Sequence, residues 1–432
     1  MNRIVLVFVC SLFCLQGIPQ RLGLADAVDI ALKNSLGIKI SKNNVDIASI
    51  NNSYGVAGGL PVVSATGTDN GQIYNINQQY SDHTKDAARS GVTSNIVTGS
   101  LNASILVYNG LRVANTKKLL EQVESQSRQQ LNSRTLAVVY NVMLKYYDIV
   151  RQQAYAHTLE LSIAASRQKL DIIKKQQSVG LANNADLFQS QVDLNTQLQN
   201  LQAQQLVIDQ GVTDLLTLLT LKPDSTVAIS DTILVDSSLR LNTLLDAMAG
   251  NPDIVAANQQ ITINQFAVKQ VAALRYPSLS FGAGYNLART QYAAGFTLLN
   301  QYYGPYVGFT LNVPIFNGNI YKKQQQVADI NVRTADLVKD TLVLNYTSNA
   351  VKNWQAYTNN LQQLNLAKDN FDLSRKLLEL VILRFQLRQA TIVDVRNAQE
   401  SFENAGYLLT NISFAAKAAE LLLKRLANQL NI

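Results

Sequence analysis

Cysteine is scarce in this 432-residue sequence, which contains only Cys10 and Cys14. Both lie within residues 1–20, a segment that predicts a secretory signal peptide because Arg3 precedes an apolar run from Ile4 to Leu15. A short membrane anchor is one alternative. A lipid on Cys14 is another, although the bulky Phe13 before it disfavours lipid attachment. After signal cleavage the chain would contain no cysteine, which excludes disulfides and thiolate metal sites.

Long apolar runs, histidines and nucleotide-binding motifs are also rare or missing. Although 47% of the residues are hydrophobic, no stretch beyond residue 20 approaches the roughly 20 apolar residues of a membrane-spanning helix. His83 and His157 have no cysteine, acidic cluster or nucleophile motif near them in the sequence. No phosphate-binding loop or dinucleotide glycine pattern occurs. These absences predict that the chain is not an enzyme and holds no cofactor or metal ion.

The charge pattern argues against a nucleic-acid partner. The formal net charge is +7, but the basic residues are scattered or stand in short pairs such as Lys117-Lys118. A nucleic-acid-binding protein usually carries a concentrated basic patch. The many asparagines and glutamines instead suit helix surfaces that face water in a pore or pack against one another.

The two halves of the chain repeat one another. The segment Val107 to Gly110 matches Ile315 to Gly318, and Asp186 falls opposite Asp394, both at an offset of 208 residues. Two further matches, nearer the start of each half, lie at offsets of 217 and 216 residues. An order and spacing kept four times indicates an internal repeat. The predicted domains are a signal peptide at 1–20, a first repeat at 21–222, a linker at 223–238 and a second repeat at 239–432.

Each repeat is predicted to begin with a helix followed by two strands. The helices cover about 23–57 and 239–274 and end before Pro61 and Pro277. Alternation of small or polar residues with larger ones predicts strands at 62–68, 100–108, 278–285 and 307–313. The intervening segments 69–95 and 288–300 are expected to be loops. Tyrosines flank the strands, where they would form either interfacial girdles of a membrane sheet or ordinary strand packing.

Two very long helices follow the strands. Neither 111–178 nor 319–387 contains proline or glycine, and apolar residues recur every three or four positions in the long helical segments of both halves, as in coiled coils. At 1.5 Å per residue, each segment would form about 100 Å of helix. Helices of this length are expected to line up side by side.

A short turn is expected to reverse the chain after each long helix. In the first repeat, Gly180 can adopt a positive φ, and Asn184 or Asp186 can cap the next helix. In the second repeat, Thr391 is a candidate N-cap, with Asp394 three positions on in a capping-box arrangement.

This order of elements and these turns resemble the TolC family of outer-membrane efflux proteins over about 22–431. The most specific motif runs from Ala390 to Gln399, and a weaker twin runs from Val179 to Asp186. The resemblance implies an α+β membrane protein with two structural repeats per chain. Three protomers would each give four strands to a twelve-stranded outer-membrane β-barrel. Their helices would continue as a long coiled-coil tunnel in the periplasm.

The resemblance also implies the function and the partners. The protein would be the outer-membrane channel of a tripartite efflux or secretion system. It would passively conduct substrates from an inner-membrane transporter and a periplasmic adaptor to the cell exterior, with no cofactor. Its partners would be two further copies of itself, the adaptor, the transporter and outer-membrane lipid. A periplasmic adaptor or another coiled-coil scaffold is the competing prediction, although neither needs two pairs of strands repeated at one offset.

In relatives the inner helical pair closes the tunnel at its tip, and the resemblance assigns Asp394 to the narrowest ring. Asn397 stands where a second acid is expected, so three carboxylates rather than six would attract cations. Phe385 occupies the position of a gating tyrosine, Arg388 that of a glycine, and Ala390 that of a basic residue. These departures put the usual gating contacts in doubt.

The outer turn contributes further candidates. Asp186 is a candidate latch partner for the inner turn, with helix capping as the alternative role for both Asp186 and Asp394. The helical tips are expected to contact the adaptor through Gly180, Leu181, Ala182, Asn183, Ala390 and Thr391.

Overall fold

The computed structural model describes residues 20–293 and 297–430. The predicted signal peptide lies outside these residues, apart from its last position. In the first half, two helices precede two long strands and a pair of longer helices. The bounds are β1 (Gln20–Arg21), α1 (Leu24–Asn34), α2 (Leu36–Asn51), β2 (Val62–Gln78), β3 (Ala87–Tyr108), α3 (Arg112–Ser178) and α4 (Asn184–Leu218).

The second half repeats this series of elements. Its bounds are β4 (Val227–Ala228), α5 (Leu241–Ala247), α6 (Pro252–Ala272), β5 (Ser278–Tyr292), β6 (Leu299–Asn312), α7 (Ile320–Gln386) and α8 (Ile392–Leu426). The short strands β1 and β4 pair in parallel. The predicted α+β class with helical hairpins and four strands is confirmed, although the strands are longer than predicted. Among the described residues, no helix is both long and apolar enough to cross a membrane.

The two hairpins match residue for residue. Helices α3 and α7 each have 67 residues, and α4 and α8 each have 35. In the described part of the chain ten backbone positions have a positive φ, and all but Gly58 and Gly91 fall into pairs separated by 208 residues. These pairs are Gly110 with Gly318, Leu111 with Asn319, Gly180 with Arg388, and Thr220 with Asn428. The repeat therefore extends to individual backbone angles at the start of the long helices, at the hairpin tips and after the shorter helices.

The helix that opens each repeat is broken, where the sequence predicted a continuous one. In the first half the chain leaves the helical conformation at Ser35 and the second helix ends at Asn51. In the second half a 3₁₀ turn at Met248–Gly250 separates α5 from α6. Asn251 there is extended, because the residue before a proline is disfavoured in the helical region. Pro252 then begins α6, where its missing N–H leaves no helical bond unmade.

The four long strands form one antiparallel sheet in the order β2-β3-β5-β6. The predicted loops at 69–95 and 288–300 are too long, since pairing continues from Thr68 with Thr98 to Gln78 with Ala87 and from Ala288 with Tyr302 to Gln291 with Leu299. Residues 79–86 separate β2 from β3, and in the second pair β5 ends at Tyr292 and β6 begins at Leu299. The polar composition of these segments suggested loops. In a single chain, however, both faces of the sheet are largely exposed, so its strands can carry polar residues on either face without an apolar core.

The chain divides into two compact units, and each takes segments from both repeats. One unit comprises Met1–Asn43, Gln129–Val255 and Thr341–Ile432. Its described residues include both hairpin tips. The other comprises Asn44–Arg128 and Ala256–Asp340 and contains the four-stranded sheet. The first unit has its largest apolar core where α1 packs against α3 and α4.

Candidate functional site

The tip of the first hairpin is closed by the expected glycine. Gly180 has a φ of +77°, and Leu181 N–H donates to Gln176 O at 2.7 Å, which satisfies a carbonyl at the end of α3. Asn183, rather than the predicted Asn184 or Asp186, caps α4. Its side-chain oxygen accepts from Asp186 N–H at 2.8 Å. The sequence misplaced the cap because three suitable side chains, Asn183, Asn184 and Asp186, lie within four residues.

The tip of the second hairpin has the same backbone geometry with an arginine in the place of the glycine. Arg388 has a φ of +63°, and Gln389 N–H donates to Arg384 O at 2.7 Å. The Arg384 guanidinium in turn donates to Gln389 O at 2.9 Å. A residue with a Cβ is less stable in this left-handed region by roughly 1–2 kcal/mol. The second tip therefore keeps a strained arginine where its twin has an unstrained residue.

Asp394 forms the predicted capping box at the start of α8. Its Oδ2 accepts from Thr391 N–H at 2.7 Å and from the Thr391 hydroxyl at 2.8 Å, and its own N–H donates back to Thr391 Oγ1 at 3.2 Å. The Thr391 backbone N–H, helped by the Thr391 hydroxyl and by the charge of Arg384, holds the pKa of Asp394 below its ordinary value. The carboxylate is thus exposed and ionised at neutral pH, with its direction fixed by the cap.

The other predicted gating residues differ in exposure. Asn397 lies one turn beyond Asp394 and is exposed. Phe385 is 7% exposed and packs in an apolar cluster that joins α3, α7 and α8. The buried members of this tip cluster are Ala165, Ile172, Ile173, Leu378, Ile382, Phe385, Val395, Ala398 and Phe402. Phe385 therefore contributes to the core that holds the helices together, where a tyrosine hydroxyl would need a partner.

The two tips contact each other. The Arg388 guanidinium lies 3.5 Å from Leu181 O, at the long limit of a hydrogen bond. Ala182 and Ala390 pack at the edge of the tip cluster. The structure thus brings Leu181, Ala182, Arg388 and Ala390 together, whereas the hydrogen bond at Asp186 serves the cap of its own hairpin.

Sequence reasoning missed the polar groups that are buried near the tips. Lys169 is fully buried on α3 and donates to Asp193 of α4 at 2.6 Å. A second group, called here the amide cluster, consists of Ser162, Ser166, Gln399 and Glu403 and lies between α3 and α8. Its members stand four residues apart on each helix, a spacing that places them on one face. That spacing was the available signal, but polar residues at this spacing are common on exposed faces.

The inter-repeat linker is tied to α8 by charged groups. Glu420 is 1% exposed and accepts from Asp236 N–H at 3.0 Å. Lys424 bridges the two carboxylates, at 2.9 Å from Glu420 and 3.0 Å from Asp236. Hydrogen bonds from the Ser238 hydroxyl and N–H, and then from Lys424, hold the pKa of Asp236 well below its usual range. These contacts hold the linker against α8 and make the stability of this region depend on pH.

Comparison with known proteins shows which proteins this chain resembles. Residues 244–429, which include the second hairpin and its tip, match the family described as outer membrane efflux protein. A toxin and drug export protein A of Aggregatibacter actinomycetemcomitans is 27% identical over 244 residues, which cover 56% of this chain and 52% of that protein. The alignment thus spans about half the length of this curated relative.

Solved structures share the fold over nearly the whole chain. The CmeC outer membrane channel of Campylobacter jejuni is 16% identical, covers 95% of this chain and 87% of its own, and has a TM-score of 0.77. The outer membrane protein VceC of Vibrio cholerae is also 16% identical, covers 94% of this chain and 95% of its own, and has a TM-score of 0.76. At this identity the likeness establishes the fold. Together with the family match, it confirms the resemblance to the TolC family that the turn motifs indicated.

Proposed function

We propose that this chain is the outer-membrane channel of a tripartite efflux or secretion system. The match of residues 244–429 to outer membrane efflux proteins carries the proposal. That segment contains the second hairpin, whose tip displays Asp394. The channel fold supports it, because the matching structures include proteins named as outer membrane channels. The helices would lie in the periplasm and the sheet in the outer membrane.

A homotrimer would cover surfaces that a single chain leaves exposed. Four leucines, three on α7 and one directly after its last residue, recur every seven residues and are each more than half exposed. They are Leu366, Leu373, Leu380 and Leu387. A seven-residue repeat of leucine is typical of a coiled-coil interface. We infer that this row packs against another copy of the chain.

The sheet also favours several copies. It has four long strands, with β2 and β6 at its edges, and the smallest closed membrane barrels need about eight. Pairing of β6 with β2 of a neighbouring copy would satisfy both edges. Three copies would supply the twelve strands that the TolC resemblance implies.

Transport would be passive, driven by a transporter in the inner membrane. The channel would open when that transporter and its periplasmic adaptor engage the tips near 180–186 and 388–397. Three copies of Asp394 would form the aperture, where ionised carboxylates attract cations. Asn397 would add no charge to this ring.

Single-channel conductance of the full-length protein in planar bilayers tests the proposal, with its mass in detergent measured alongside. A trimer with small, cation-selective conductance is the expected result. A monomer that never inserts would overturn the channel assignment and favour a coiled-coil adaptor or scaffold.

A further inference from the structure

The amide cluster joins helices that belong to different hairpins. The Gln399 side-chain nitrogen donates to Ser162 Oγ at 2.6 Å and to Ser166 Oγ at 2.8 Å. The Ser162 hydroxyl donates in turn to the Glu403 carboxylate. Both serines are fully buried, and Gln399 is 4% exposed. The Gln399 nitrogen also donates to Glu403 Oε1 of its own helix at 3.2 Å, but its two shortest bonds go to the hydroxyls of α3.

The surroundings of this cluster are apolar and closely packed. Gln399 stands between Ala398 and Phe402 of the tip cluster. Gly406 approaches Thr158 so closely that a Cβ on the glycine would lie 2.5 Å from Thr158 Cγ2. Apolar side chains are non-directional in their contacts, so they resist a small shift of one helix along another only through shape. A buried amide that lost its partners would keep its full desolvation penalty.

A polar group inside an apolar helical interface selects one register, because every other register leaves it without partners. Gln399 follows Asp394 by five residues, or about 7.5 Å along α8. A shift or rotation of α8 that displaces Asp394 must therefore also break the bonds of Gln399 to α3.

We propose that Gln399 is a positioning residue that sets the register of α8 against α3 and thereby holds Asp394 at the closed aperture. The inference rests on the proposed channel function. Opening of the tip requires the engaged partners to break the contacts of the amide with Ser162 and Ser166. Glu403 keeps the Ser162 hydroxyl oriented for this interaction.

The internal repeat supplies a matched control. Gln191 occupies the position on α4 that corresponds to Gln399, at the same offset of 208 residues, but its side chain is exposed. Gln399→Leu and Gln191→Leu therefore make the same chemical change at equivalent helix positions. Only the first removes the amide from the interface between the hairpins.

The experiment records single-channel openings of wild type and both variants in planar bilayers, with thermal unfolding of the same preparations. We expect Gln399→Leu to raise the ratio of open to closed time roughly tenfold, the factor that corresponds to about 1.4 kcal/mol. Its unfolding midpoint should stay level or fall, because the buried Ser166 hydroxyl loses its amide partner, so the gating ratio is the deciding measurement. Gln191→Leu should leave gating unchanged. A purely structural role would lower the midpoint without changing the gating ratio.

The variant Ser162→Ala/Ser166→Ala removes the two hydroxyl acceptors with little change in volume, and it decides the question if Gln399→Leu does not fold. An increase in open time in this variant supports the proposal. If wild type conducts but the Gln399→Leu or serine variants gate as wild type does, the role of Gln399 is overturned and the channel function is not affected. A wild-type protein that does not conduct overturns the channel function and this inference with it.

Discussion

The corners that join strands to long helices allow the effect of a positive φ on stability to be tested. Gly110 precedes α3 and Gly318 precedes α7, and both have a φ of +67°. Their surroundings differ. A Cβ on Gly110 would lie 2.8 Å from Tyr276 Cβ and 2.9 Å from Ala273 O, whereas a Cβ on Gly318 would meet no atom within 4 Å. Replacement of each glycine by alanine separates the effect of backbone conformation from that of close contact.

The expected magnitudes follow from these distances. In both variants alanine is less stable in the left-handed region by roughly 1–2 kcal/mol. The reduced freedom of the unfolded chain returns about 0.4–1 kcal/mol of this. Gly318→Ala should therefore lose on the order of 1 kcal/mol. Gly110→Ala should lose a further 1–3 kcal/mol or so, since the neighbouring side chain and backbone must move.

Denaturant unfolding of both purified variants in the same detergent measures the difference. The Gly110→Ala midpoint should fall below that of Gly318→Ala, and both should fall below wild type. Equal losses in the two variants would mean that Tyr276 and Ala273 move aside without cost, and the reasoning from contact distances would be refuted.

Three further predictions concern the aperture, the linker and the assembly. Asp394→Ala should weaken block of the pore by multivalent cations in planar bilayers, because it removes the exposed carboxylate, and unchanged block would exclude Asp394 from the aperture. The folded-state pKa of Asp236 is lowered, so its stabilising contribution is present above about pH 4 and is lost as the pH falls further. The unfolding midpoints of wild type and Asp236→Asn should therefore converge below about pH 4, and a constant difference down to pH 3 would contradict the assignment. Leu373→Asp should reduce the mass in detergent from trimer to monomer, whereas Asn365→Asp, at an exposed position of α7 outside the leucine row, should not. Dissociation of both variants would point to a general effect of charge on α7.

Periodicity predicted the long helices almost to the residue. The expected segments 111–178 and 319–387 correspond to Arg112–Ser178 and Ile320–Gln386. The helix bounds were predictable because they depend on nearby residues. Each long helix contains no glycine or proline and ends just before a residue with positive φ. The capping box of Thr391 and Asp394 was predictable for the same reason.

The sheet and the buried polar groups were harder to predict. Asp69 and Asn70 have low strand propensity, yet they pair with Val97 and Ile96 because the neighbouring strand supplies their hydrogen bonds. The burial of Gln399 depends on α3, more than two hundred residues away in sequence. Gln191 has the same side chain at the same repeat position and remains exposed, so no local pattern distinguishes the two.

The equal lengths of the paired long helices restrict how this chain can change over generations. Loss of one codon within α3 would turn the residues after it by about 100° and draw them back by about 1.5 Å relative to those before it. Contacts such as those of Ser162 and Ser166 with Gln399 would then face the wrong direction. Substitutions at exposed positions can accumulate in these helices, but a change in their length requires a compensating change in a partner helix. The offset of 208 residues between the repeats is therefore expected to persist after most sequence identity between them has been lost.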